Sequence, residues 1–123
     1  MDTKKTLLVL LFCNIISTAH SKDAWVNVER LNIRTCSDTS CGNVGQLIYR
    51  EKVTIFEESD GWVRISNYHD GSCRNGISKF VDNGNNKCTW INGFENDNFA
   101  EWVYAQYLSE KHPPEPNDQV LNR

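Results

Sequence analysis

Three short blocks, two of which contain alternating apolar and polar residues, constrain the fold of this chain more than any other feature. They lie at residues 31–34 (LNIR), 60–65 (DGWVRI) and 101–108 (EWVYAQYL). Alternation of this kind, bounded by turn residues, indicates β-strands with one buried face. No long helical period follows the first 21 residues, so the sequence predicts an all-β fold.

The same three blocks, in this order, resemble the bacterial SH3-like (SH3b) domain. That family opens with Leu-Asn-Val/Ile-Arg, continues with Gly-Trp at a tight turn, and closes with Trp-Val-x-x-x-Tyr-Leu. The resemblance implies a small SH3-like β-barrel that acts as a non-catalytic binding module, most often for cell-wall peptidoglycan or its peptides. Two departures, Cys36 and Glu101 at positions where the family usually carries Gly, border the face that often binds ligands.

The spacing of the blocks predicts one SH3b-like domain over residues 22–110, standing alone. Strands are expected at 44–49, 52–58, 62–67 and 101–104. An insertion at about residues 68–100 precedes the last strand, and we expect it to form a β-hairpin from 77–81 and 87–91. Its turn would be Asp82-Asn83-Gly84-Asn85-Asn86, because Asn-Gly favours tight turns. The same oxygen-rich turn also allows a calcium site, but it holds a single carboxylate, so the turn interpretation is preferred.

The composition at the two ends of the chain predicts segments that lie outside the folded domain. Lys4, Lys5 and the apolar run at 7–16 predict a signal peptide over residues 1–21, cleaved before Lys22. That run is too short for a spanning helix, so no stable membrane insertion is expected after cleavage. A lipoprotein signal at Cys13 is disfavoured by Phe12. Residues 111–123 contain Pro113, Pro114 and Pro116 and predict a flexible tail.

Removing the signal leaves four cysteines: Cys36, Cys41, Cys73 and Cys88. An even number in a short exported chain predicts disulfides, and three connectivities are possible. We favour Cys36–Cys41 with Cys73–Cys88, because each pair closes a local loop. A zinc site is the alternative, but Cys73 and Cys88 lie too far apart for the usual close ligand pairs.

Charge and composition exclude several classes of function. The formal charge of −3 argues against a nucleic-acid partner, which would require a basic face. Enzyme activity is not expected, because a Cys–His pair would need a free thiolate and the cysteines are assigned to bridges. We expect no catalytic residue, no metal and no cofactor.

Aromatic side chains are the best candidates for a binding surface, since Trp and Tyr suit sugar rings and peptide backbones. If Val63, Ile65 and Val103 point inward, the alternation places their neighbours outward. The candidate ligand-binding residues are Trp62, Arg64, Trp102, Tyr104 and Tyr49.

The expected protein is an exported bacterial monomer, periplasmic or extracellular, that binds peptidoglycan. The alternative is a periplasmic inhibitor, immunity protein or accessory subunit whose inserted hairpin binds a protein partner.

Overall fold

The computed structural model describes residues 21–116 of the 123 in the chain. The expected signal peptide, apart from Ser21, and residues 117–123 of the expected tail lie outside this range. Within it, no helix combines the length and the apolar character needed to cross a membrane.

Two antiparallel sheets form the body of the domain, as the all-β prediction requires. Their strands are β1 (Lys22–Val26), β2 (Arg30–Arg34), β3 (Asn43–Ile48), β4 (Lys52–Ile55), β5 (Glu57–Ser59), β6 (Trp62–Arg64), β11 (Trp102–Tyr104) and β12 (Leu108–Ser109); β7 to β10 belong to the insertion described below. The first sheet has the order β12-β1-β4 and the second has the order β3-β2-β11-β6-β5. A 3₁₀ helix at Ala105–Tyr107 joins the last two strands. This is an SH3-like arrangement of short strands.

The core lies between the two sheets and consists of small and branched apolar side chains. Alternation along each strand supplies it, since successive side chains of a strand point to opposite faces. Val63 and Val103, which are directly paired across β6 and β11, are 2% and 0% exposed. The other buried members are Ala24, Val26, Leu31, Ile33, Val53 and Ile55.

The insertion, residues 68–100, leaves the second sheet after β6 and returns to it at β11. Its base is a short antiparallel pair, β7 (His69–Asp70) with β10 (Asn98–Phe99). Beyond this pair, β8 (Cys73–Arg74) and β9 (Ile77–Ser78) form a small hairpin. A 3₁₀ helix at Trp90–Asn92 follows later in the segment.

The strands of the inserted hairpin therefore differ from those that the sequence predicted. Its turn is Asn75-Gly76, in which both residues have the positive φ that a two-residue hairpin turn requires. The Asn83-Gly84 turn instead docks on the barrel, where the N–H of Asn43 donates to the carbonyl of Asn83 at 2.9 Å. Of the expected pairing between 77–81 and 87–91, a single bridge between Ile77 and Lys87 is present.

The insertion has an apolar cluster of its own, built from phenylalanines. Phe99 is fully buried, and its ring centroid lies 5.1 Å from that of Phe94 and 5.8 Å from that of Phe80. The ring of His69 packs 4.5 Å from Phe99. This cluster gives the segment a packed interior despite its small content of strand.

A buried asparagine joins the insertion to the barrel. Asn92 is 0% exposed, and its side-chain carbonyl accepts from the N–H of Gly42 at 2.9 Å. Its amide donates to the backbone carbonyls of Asn85 and Lys87, both at 2.9 Å. Its backbone carbonyl accepts from the hydroxyl of the buried Thr35 at 2.7 Å. Buried polar groups are tolerated only when they are satisfied in this way.

Both disulfides have the predicted connectivity. Cys36 and Cys41 close a short loop after β2, with Cα atoms 5.6 Å apart. Cys73 and Cys88 tie β8 to the residues just before the 3₁₀ helix of the insertion, with Cα atoms 6.4 Å apart.

Candidate functional site

The outer face of the second sheet carries the polar and aromatic side chains that alternate with the core residues. Trp102 of β11 lies directly opposite Arg34 of β2 on one side and Arg64 of β6 on the other. Tyr104 is paired with Trp62 in the next row. Trp62, Arg64, Trp102 and Tyr104 therefore share the face opposite to that of the paired Val63 and Val103.

A groove of about 520 Å³ crosses this face. Trp62, Tyr104 and Tyr107 supply its aromatic surface. Arg30, Asn32 and Arg34, the outward residues of β2, supply a polar surface. Asp38 and Thr39, from the loop closed by the Cys36–Cys41 disulfide, also line the groove. Volume and lining suit a small peptide or sugar, because ligand sites combine apolar walls with a few polar groups.

The three aromatic residues of the groove pack against one another. The rings of Trp62 and Tyr104 meet edge to face with centroids 5.4 Å apart, and Tyr104 lies 5.6 Å from Tyr107. Trp62 is 9% exposed, whereas Tyr107 is 41% exposed. Mutual packing fixes the ring orientations before any ligand arrives, which lowers the entropy lost on binding.

The disulfide loop is held in place beside the arginines. Nη1 of Arg34 donates to the carbonyl of Cys41 at 3.2 Å. The hydroxyl of Ser40 donates to the carboxylate of Asp38 and lowers its pKa from the ordinary value. Asp38 is therefore an anion at neutral pH.

Trp102 does not contribute to the groove. Although it lies on the outer face, it is 7% exposed, so the expectation that Trp62 and Trp102 present their indole rings to solvent is wrong. Alternation in the sequence predicts which face of a sheet a side chain is on, but it does not predict which neighbours cover that side chain. Here Trp102 lies between Arg34 and Arg64 of the two adjacent strands.

Arg64 is engaged within the protein and does not line the groove. Its Nε donates to Glu57 at 2.9 Å, and its Nη1 donates to the carbonyl of Ser66 at 2.7 Å. The guanidinium carbon also lies over the rings of Phe56 and Tyr68, at 5.5 and 5.4 Å from the centroids. These contacts give Arg64 a structural role.

Tyr49 contacts the first residues of the C-terminal segment. Its hydroxyl donates to the carbonyl of Pro114 at 2.8 Å, and Nε of Arg50 donates to the carbonyl of Pro113 at 3.0 Å. Arg50 also pairs with Glu115 at 3.5 Å. Residues 113–115 therefore lie against the barrel. Glu115 lines a hollow next to the groove, and Arg30 lines both the hollow and the groove.

The groups considered for catalysis or metal binding are occupied in other ways. Cys36, Cys41, Cys73 and Cys88 are bonded in pairs, and His69 packs on Phe99 and lies 3.6 Å from Glu101. Asp97 comes close to Cys73 and Cys88, but two sulfurs bonded to each other offer no thiolate to an ion.

Sequence reasoning missed six polar or aromatic residues of the groove. A signal for the two arginines was present, since Arg30, Asn32 and Arg34 alternate with the buried Leu31 and Ile33 and must share the outer face. The other missed residues, Asp38, Thr39 and Tyr107, come from a loop and a 3₁₀ helix, whose side-chain directions no period reveals.

Comparison with known families gives a match to the bacterial SH3 domain over residues 29–76. The match covers β2 to β8 and ends at the turn of the inserted hairpin, so β9 to β12 lie beyond it. Searches of curated proteins and of solved structures gave no significant match. The family match agrees with the all-β architecture, and residues 29–76 are similar to the bacterial SH3 domain.

Proposed function

We propose that this protein is an exported, non-catalytic module that binds cell-wall peptidoglycan through its peptides. The observation that carries the proposal is the groove of about 520 Å³, with its packed aromatic wall and its arginines, on a domain similar to the bacterial SH3 domain. Peptide stems of peptidoglycan are short and extended, and they carry methyl groups next to amides and charges. Such a ligand matches a surface that has both aromatic and polar sides.

Two features support a location outside the cytoplasm. The described cysteines form two disulfides, which persist in oxidising compartments such as the periplasm. Signal cleavage before Lys22 remains a prediction from the sequence. The mass of the protein recovered from the cell envelope would test it, since a chain that retains residues 1–21 contradicts export with cleavage.

Sedimentation with purified peptidoglycan sacculi tests wall binding. We expect the protein to pellet with sacculi, and Tyr107→Ala to reduce the pelleted fraction because it removes an exposed ring of the groove. Tyr68→Ala is the matched control, since Tyr68 is 53% exposed and lies outside the groove. Absence of pelleting, or equal loss in both variants, would contradict the proposal.

A second function, binding of a protein partner through the insertion, is favoured by one observation. Trp90 and Ile91 are 81% and 77% exposed, side by side on the 3₁₀ helix that Asn92 anchors. Exposed tryptophan on a rigid support is typical of residues that dominate protein interfaces.

The double variant Trp90→Ser and Ile91→Ser separates the two functions. If the insertion binds a protein, this variant loses a partner that cross-links to the wild type in envelope extracts, and it still pellets with sacculi. Tyr107→Ala should show the opposite pattern. A partner that both variants retain would exclude Trp90 and Ile91 as its contact.

A further inference from the structure

The charges around the groove carry an inference about the chemistry of its ligand. Arg30 and Arg34 lie on the same face of β2, separated by Asn32. Residues four apart on a strand lie roughly 13 Å apart, so the two arginines mark the two ends of one stretch of the groove. The acidic residue that lines the groove with them is Asp38.

These two arginines differ from the other arginines on the barrel. Arg50 lies 3.5 Å from Glu115 and Arg64 lies 2.9 Å from Glu57, so each has an acidic partner. Across residues 21–116, neither Arg30 nor Arg34 has a carboxylate within 4.0 Å. Asp38 keeps its negative charge, but its carboxylate accepts from Ser40 and forms no ion pair within 4.0 Å of either arginine.

Arg34 is oriented but incompletely satisfied. One N–H donates to the carbonyl of Cys41, while its Nε is buried and has no partner among the residues of the structure. A buried donor without an acceptor is destabilising and is uncommon in native proteins. The buried Nε is out of reach of a ligand, so a ligand would contact the terminal nitrogens of Arg34, which lines the groove.

We propose that Arg30 and Arg34 bind carboxylate groups of a peptide ligand whose adjoining apolar part lies on Trp62, Tyr104 and Tyr107. The inference rests on the proposed function, because it takes the groove as the peptide site. A carboxylate matches the planar fork of a guanidinium, and an amino-acid residue places that anion directly beside an aliphatic group. The aromatic wall next to the arginines fits this combination better than it fits an isolated inorganic anion.

Calorimetric titration with a synthetic stem pentapeptide, Ala-γ-Glu-Lys-Ala-Ala, tests the inference. Two preparations of the peptide are compared. In one, the carboxylates of the glutamate and of the C-terminus are free, and in the other both are converted to amides. We expect the amide to bind about 10- to 100-fold more weakly, the range for loss of a charge-assisted hydrogen bond. If neither form binds, the proposed function fails. If both bind equally, the peptide site stands and the carboxylate inference is overturned.

Arginine variants assign the effect to residues. Arg30→Gln should weaken binding of the acid and leave binding of the amide unchanged, and Arg30 is exposed, so the fold should tolerate the change. Arg34→Lys keeps the charge but loses the fork, and it should recover part of the affinity lost in Arg34→Gln. Arg74→Gln removes an equal charge from the exposed β8 and is the matched control. Equal weakening of acid and amide by Arg30→Gln would overturn the assignment.

Discussion

The barrel and the insertion reach a packed interior by different routes. The barrel buries aliphatic side chains that alternate along paired strands. The insertion has two short strand pairs and relies on a phenylalanine cluster, a disulfide and the buried Asn92. The comparison shows that a long excursion from a small barrel can be ordered without extending the sheet. The ordered structure of the insertion depends on a few individual residues, whereas the structure of the barrel depends on contacts among many residues.

Truncation of the central ring of the insertion has the largest expected effect. Phe99→Ala should lower the free energy of unfolding by about 3–5 kcal/mol, because it leaves a cavity among Phe80, Phe94 and His69. Urea denaturation followed by far-UV circular dichroism measures the loss. Phe80→Ala, at a position 47% exposed, is the control and should cost less. A change confined to a separate early transition would show that the insertion unfolds independently of the barrel.

Removal of the Cys73–Cys88 disulfide should cause the second-largest loss of free energy of unfolding. The double variant Cys73→Ser and Cys88→Ser should lose about 3 kcal/mol, because the unfolded chain regains the entropy of a loop of this length. Cys36→Ser with Cys41→Ser should lose about 2 kcal/mol, since that loop is shorter.

Thermal unfolding under non-reducing conditions measures both disulfide effects. Of the two double variants, only Cys36→Ser with Cys41→Ser should also weaken peptide binding, because the Cys36–Cys41 loop lines the groove. Equal losses of affinity in the two double variants would contradict this division between the insertion and the barrel.

The junction between the two regions can be broken at Asn92. Asn92→Ala should cost about 2 kcal/mol, because the buried N–H of Gly42 loses its acceptor. Hydrogen exchange at the amide of Gly42 is the specific measurement, and we expect it to accelerate more than exchange in β4. Unchanged exchange at Gly42 would show that Asn92 does not couple the insertion to the barrel.

The smallest effect is expected at the exposed tip of the insertion. Trp90→Ser should change the free energy of unfolding by less than about 0.5 kcal/mol, as most surface substitutions do. Chemical denaturation checks this. A loss of several kcal/mol would mean that the indole supports the fold, and it would remove the argument for a role in binding.

Alternation and turn signals predicted the all-β fold, and the family resemblance implied its SH3-like arrangement. Alternation placed Val63 and Val103 in the core, and loop closure favoured the disulfide pairing that the structure has. The insertion was harder, since Asn75-Gly76 and Asn83-Gly84 are equally good turn signals. Tertiary contact with Asn43 decided between them.

Two of the five candidate binding residues line the groove. Trp62 and Tyr104 belong to it, but the burial of Trp102 and the engagement of Arg64 depend on neighbours that lie outside their strands. The roles of Asp38 and Thr39 depend on how a disulfide loop folds back onto the sheet, and that path has no periodic signature in the sequence.

The unequal shielding of the indoles has a practical consequence for spectroscopy. Trp90 is 81% exposed, whereas Trp62 and Trp102 are 9% and 7% exposed. A water-soluble quencher such as iodide should therefore extinguish the emission of Trp90 first and leave a blue-shifted remainder. In a Trp90→Phe background that remainder includes Trp62, which lines the groove, so a change in its emission on addition of the proposed peptide would report binding without an attached dye.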